Sequence, residues 1–191
     1  MKTGKLIVIS APSGAGKTSL VKALLEKKTN LKFSISATSR KKRDNEIHGS
    51  DYYFISAEHF KEKIQNGEFL EWQEVYHDQF YGTLVNEVER ILLAGNHVIF
   101  DVDVLGGINI KKHYREQALS IFIKPPAIEV LFQRLHLRGT ETEESLQKRL
   151  AKANYELSFE KEFDTIIIND QFDDALQELT TLIDNFLGEK S

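Results

Sequence analysis

The chain has 191 residues, enough for one domain, and its 41% apolar, 28% charged and 10% aromatic residues exclude disordered and collagen-like classes. It has no cysteine, so disulfide scaffolds, Cys-ligated zinc, Fe–S clusters and thiol nucleophiles are excluded as well. Its net charge of −4 argues against nonspecific nucleic-acid binding, and no apolar run reaches the ~18 residues of a membrane span.

Short β-branched runs alternate with amphipathic stretches. This predicts an α/β fold with a mainly parallel sheet flanked by helices. In chain order, strands are expected over 5–10, 33–36, 51–55, 97–103, 119–124 and 165–169. Helices are expected over 16–27, 57–66, 84–94, 127–137, 143–159 and 173–187. The first apolar run is too short for a signal peptide, so a cytoplasmic location is expected. The stretch 34–83 breaks the alternation with short extended runs, aromatics and polar residues, and reads as an inserted subdomain.

The first strand leads into Ala11, Pro12, Ser13, Gly14, Ala15, Gly16, Lys17 and Thr18, and then into a helix. This is the phosphate-loop pattern G-x-x-x-x-G-K-[ST], with Ala11 in place of its first glycine. Gly14 and Gly16 let backbone N–H groups turn towards phosphate oxygens, and the helix N-terminus favours an anion. Lys17 would reach the β- and γ-phosphates, and Thr18 would offer its hydroxyl to Mg²⁺. A chance glycine-rich turn would not need the strand before it and the helix after it. A nucleoside triphosphate is the expected ligand.

Ser36 opens a segment that includes Arg40, Lys41, Lys42 and Arg43. A solvated basic loop is the usual fate of such a run. Here it is followed by Tyr52, Glu71, Tyr81 and Thr83, which together offer guanidiniums, hydroxyls and a carboxylate. Guanidiniums grip a dianionic phosphate bidentately. The Glu71 carboxylate suits guanine, since it can accept from both N1–H and the 2-amino group, whereas adenine presents an acceptor at N1.

The strand 97–103 ends in Asp101 and Asp103. A strand-end aspartate in a phosphate-loop protein can hold Mg²⁺ through water. Asp103 reads equally as site support or as the N-cap of a following helix. Arg134 and Arg138 are four residues apart and share a helix face, Gly139 ends that helix, and Thr142 would cap the next. Arg149 follows about two turns in. These arginines describe a mobile lid, against the commoner alternative of surface salt bridges. The six histidines lack metal-ligand spacing and are expected to be surface or locally bonded. Trp72 is expected to pack the subdomain, and Phe159, Phe163 and Phe172 to lie in the core.

Together S-A-P-S-G-A-G-K-T-S, S-A-T-S-R-K-K-R, G-S-D-Y-Y-F, G-E-F-L-E-W, F-Y-G-T, D-V-D and the R-L-H-L-R-G-T-E-T-E-E-S-L-Q-K-R-L segment resemble the guanylate kinase family over nearly the whole chain. The resemblance implies a kinase domain over 4–185, with a GMP-binding subdomain over 34–83 and a lid over about 127–160. It implies phosphoryl transfer from ATP to GMP with Mg²⁺. Arg40, Arg43, Tyr52 and Tyr81 then match the groups that hold the GMP phosphate. Ser36, Glu71, Thr83 and Asp101 match those facing guanine. Lys17, Arg134, Arg138 and Arg149 match the catalytic cations, and Asn169 a residue near the adenine of ATP. Lys41-Lys42 departs from a usual Thr-Pro, Leu105 stands where Gln is common, and the interval from Trp72 to Tyr81 is one residue longer than usual. Two rivals stand beside this reading. One is an inactive protein-binding module of the same family. The other is a phosphate-loop kinase for a different small acceptor.

Overall fold

The computed structural model describes residues 4–136 and 143–188. Its centre is a five-stranded sheet in the order β2-β7-β1-β8-β9, with β1 (Leu6–Ser10), β2 (Leu31–Phe33), β7 (His97–Asp101), β8 (Ala118–Lys124) and β9 (Thr165–Ile168). Every pairing in it is parallel. In β1 all five residues are buried, and side chains leave alternately to the two faces. Ile7 and Ile9 pack with α1 (Lys17–Lys27) and α7 (Phe172–Leu187). Leu6 and Val8 pack on the other face with Val88 and Ile91 of α3 (Val85–Leu93) and Ile110 of α4 (Val104–Tyr114).

A second sheet, of four strands, follows the order β4-β3-β6-β5, with β3 (Ala37–Thr38), β4 (Tyr53–Phe54), β5 (Phe69–Tyr76) and β6 (Gln79–Leu84). Phe60 of α2 (Ala57–Gln65) is fully buried against it and stacks on Phe69 and Phe80 at 4.2 and 5.3 Å. Glu87 of α3, 3% exposed, ties this sheet to the main one. It accepts from Tyr53 Oη at 3.0 Å and from the Arg90 guanidinium.

Several expected boundaries change. The strand expected over 33–36 is largely absent: only Phe33, the last residue of β2, is in a strand, and 34–36 link it to β3, which begins at Ala37 in the other sheet. The β5–β6 hairpin and α4 were not among the expected elements. Phe172 is 41% exposed instead of core, because it starts α7 beyond the sheet edge. Helices α5 (Ile128–His136) and α6 (Glu143–Leu157) match their expected positions, while Arg138, Gly139 and Thr142 lie outside the described residues.

Candidate active site

β1 is the switch point of the main sheet, with β7 on one side and β8 on the other. In open parallel sheets the crevice at the strands' carboxyl ends beside such a point binds ligands. Here it is a cavity of about 450 Å³ between the phosphate loop, the end of β7, the β5–β6 face and α6.

The loop's shape follows from its glycines. Gly14 and Gly16 have φ of 95° and 92°, a left-handed conformation that other residues rarely adopt. Ala15 donates its N–H to Pro12 O at 3.1 Å and is fully buried, so it does not face the cavity. The first N–H groups of α1, beginning at Lys17, have no intrahelical acceptors and open into this crevice. Lys17 forms an ion pair with Asp101 and donates to Val102 O at 3.0 Å. Thr18 Oγ1 donates to Asp101 Oδ2 at 3.2 Å. Asp101, expected to face guanine, lines the cavity with Ser36 and Glu71 and also stands against Lys17 and Thr18, because β7 runs beside β1.

Asn169, expected near adenine, is 4% exposed and donates Nδ2–H to Ala15 O at 2.7 Å, bracing the loop. A Cβ on Gly16 would meet that nitrogen at 2.3 Å, so glycine is required there for packing as well as for φ. Arg134 donates both terminal nitrogens to Asn169 O at 3.1 Å and so supports the brace.

Across the cavity, Glu71 of β5 pairs with Thr83 of β6, and Thr83 Oγ1 donates to Glu71 Oε1 at 2.6 Å. Burial pushes the Glu71 carboxyl up to about 7, and Asp103 adds to that, while the Thr83 hydrogen bonds oppose it. Bulges at Leu70 and Val75 interrupt the hairpin register. The second lies within the interval from Trp72 to Tyr81, and Tyr81 stands opposite Gln73. Ser36, Tyr52 and Tyr81 line the same cavity.

Arg40 lies at its margin. Its guanidinium donates to both Glu46 oxygens at 2.7 and 2.6 Å, and its Nε to Tyr81 Oη at 3.2 Å. Its carbon sits 5.1 Å from the Tyr52 ring centre. These contacts hold the Glu46 carboxyl down at about 2, with the Arg43 N–H helping. Arg43 is exposed and contributes that N–H at 2.9 Å. The residues missed at the sequence level are Glu46, Glu156 and Lys152. Glu156 and Lys152 follow Arg149 by seven and three residues, a helical stripe that was the available signal. Asp103 proves to be the N-cap of α4, accepting from Gly106 N at 2.8 Å, and it also lines the cavity. Leu105 packs beside the Phe122–Phe163 cluster, so its apolar character has a structural place.

Among the described residues, Glu74, His77 and Asp78 at the hairpin tip bring potential ligand atoms together, and both Glu74 and His77 are exposed.

A model of the guanylate kinase family matches residues 3–186. The chain belongs to the guanylate kinase family. It is 55% identical over 189 residues to a guanylate kinase of Bacteroides fragilis, covering 98% of this chain and 93% of that one. It is 51% identical over 188 residues to a guanylate kinase of Bacteroides thetaiotaomicron, covering 98% and 92%. The crystal structure of guanylate kinase from Anaplasma phagocytophilum superposes with a TM-score of 0.78 at 28% identity, over 100% of this chain and 89% of that chain. Membership in this family carries the phosphate-loop kinase architecture with it, and that agrees with the parallel sheet and the loop after β1.

Proposed function

We propose that the chain transfers the γ-phosphoryl group of ATP to GMP, giving ADP and GDP. The observation that carries this reading is one cavity walled by a phosphate loop on one side and by the Glu71–Thr83 pair on the other. The loop takes ATP: backbone N–H groups around Gly14 and Gly16 cradle its phosphates, and Lys17 follows the transferring group. Ser36, Glu71 and Thr83 take guanine. Arg40, Arg43, Tyr52 and Tyr81 take the GMP phosphate.

That phosphate is already an anionic nucleophile, so no protein base is needed. What the protein supplies is alignment of donor and acceptor and compensation of negative charge. Arg149 serves that role from α6, together with Arg138. Arg134 joins them by releasing the carbonyls of Asn169 and Asp170, to which its guanidinium donates.

Mg²⁺ fits the donor set: Thr18 and Asp101 place a hydroxyl and a carboxylate within 3.2 Å of each other beside Lys17. When bound, the ion would neutralise phosphate charge and orient the β- and γ-oxygens. The 34–83 segment acts as the GMP-binding part and about 127–160 as the lid. Closure of these parts would exclude water and suppress ATP hydrolysis. Among the described residues no helix is long and apolar enough to cross a membrane, and we assign the chain to the cytoplasm.

The test is ADP formation from ATP–Mg²⁺ with GMP, AMP, CMP or UMP as acceptor. Turnover with GMP alone supports the reading. Turnover with another acceptor would keep the kinase and remove the guanine assignment. Silence with all four would favour a protein-binding role.

A further inference from the structure

Glu156 is a buried acid with no part in the reaction as derived above. It lies on α6, is 5% exposed, and lines the cavity assigned to two anionic nucleotides. An acid is unexpected there, since burying a carboxylate is costly and its charge repels phosphate. Burial pushes its carboxyl above the usual carboxylate range, while Lys152, the Ser13 N–H and Lys17 pull the other way.

Its contacts give the reason for it. Oε2 accepts the backbone N–H of Ser13 at 3.3 Å, and Oε1 lies 3.8 Å from Lys152 Nζ, one turn earlier on α6. Ser13 precedes the left-handed Gly14 and Gly16, so its N–H is committed to α6 while the following loop stays turned to the crevice. Elsewhere on α6, Ala153 packs with Leu131 and Ile128, and Leu157 joins the Phe122–Phe163 cluster. Apolar contacts are non-directional and tolerate small slides, whereas a hydrogen bond fixes a distance and an angle. Arg149 stands two helical turns before Glu156, on the same face of α6.

We propose that Glu156 is a positioning residue whose hydrogen bond to the Ser13 N–H registers α6 on the phosphate loop and thereby sets the position of Arg149, two turns earlier on α6, relative to that loop. This rests on the kinase reading given above. The contribution is that of an acceptor oxygen and not of a charge. An amide therefore substitutes for it, and a methyl group does not. Because the effect passes through Arg149, it falls on the transition state more than on GMP binding.

The experiment uses the full chain and the variants Glu156→Ala and Glu156→Gln, with two readouts: Ser13 amide exchange by NMR, and kcat and KM for each nucleotide. For Glu156→Ala, Ser13 exchange should speed by about tenfold or more, and kcat should fall about 10–100-fold while KM for GMP stays within about twofold. For Glu156→Gln, Ser13 protection should persist and kcat should stay within about threefold of wild type, since the amide oxygen still accepts. Wild-type exchange or wild-type kcat in Glu156→Ala would overturn the proposal, as would equal loss in both variants. If Glu156→Ala does not fold, Glu156→Gln decides alone: retained protection and kcat support the proposal, and loss of either overturns it. Ser13 exchange needs no turnover, so a failure of the kinase reading is told apart from a failure of this one.

Discussion

Glu71 concentrates the conflict between stability and recognition. Its carboxyl sits near 7 because it is buried, yet the proposed pairing with guanine N1–H and the 2-amino group needs the ionised form. The value of kcat/KM for GMP should therefore fall as pH drops below about 7, while KM for ATP stays flatter; parallel pH profiles for the two nucleotides would refute this. The stability effect has the opposite direction. Between 4.5 and about 7 the folded chain holds a proton that the unfolded chain has released, so this group makes stability fall as pH rises through that window. Above it the full penalty applies, on the order of 3 kcal/mol. Glu71→Gln should then raise Tm at pH 8 more than at pH 5, and should lose preference for GMP over AMP. Arg40 shows the complementary case of a group held by opposite charge. Its fork is matched to both oxygens of Glu46, and its Nε to Tyr81. Lysine cannot reproduce that geometry. Arg40→Lys should raise KM for GMP by roughly tenfold, one lost charge-assisted hydrogen bond, and leave KM for ATP nearly unchanged. An equal rise for both would place Arg40 elsewhere in the mechanism.

At the scale of elements, two that were missing from the expected ranges, α4 and the β5–β6 hairpin, both bear on Glu71. Helix α4 begins Val104-Leu105-Gly106-Gly107, and a pair of glycines in a first turn lowers helix propensity enough to hide it. The glycines are there for close approach. A Cβ at 106 would lie 2.8 Å from Glu71 Oε2, and one at 107 would lie 2.5 Å from Ser10 Oγ. Gly106→Ala gains about 1 kcal/mol of helix propensity in isolation. In the protein it should instead displace the carboxylate, raising KM for GMP with no gain in Tm; a stabilised variant with normal KM would show that Glu71 has room to move. The β5–β6 hairpin was hidden for a different reason. Its bulges at Leu70 and Val75 break the two-residue alternation by which strands are read. By contrast, β1, β7 and β8 were legible because strands covered on both faces become continuous apolar runs.

At the scale of the molecule, the phosphate loop was legible as a motif, but the network that holds it was not. Sequence gives Gly14, Gly16, Lys17 and Thr18 as neighbours. It cannot give the contacts of Asn169, just after β9, and of Glu156 on α6, which reach the same loop across more than a hundred residues. The brace from Asn169 joins three elements. Arg134 of α5 holds the Asn169 carbonyl, the Asn169 N–H donates to Lys124 O at the end of β8, and the side-chain amide holds Ala15 O. Asn169→Ala would leave the Ala15 carbonyl without its donor in a buried site, a cost of about 1–3 kcal/mol. For a chain of this length each kcal/mol lowers Tm by about 2–4 °C. In the proposed reading the loop is the ATP wall of the cavity, and the brace does not touch the β5–β6 face, so KM for ATP should rise while KM for GMP holds. Asn169→Asp is the sharper variant: it keeps the size, loses the donor, and sets a carboxylate against the Ala15 carbonyl. Asp should therefore be at least as damaging as Ala in both Tm and KM for ATP. If Asp were tolerated and Ala not, the side chain would be acting by filling space, and the hydrogen bond to Ala15 would not be what holds the loop.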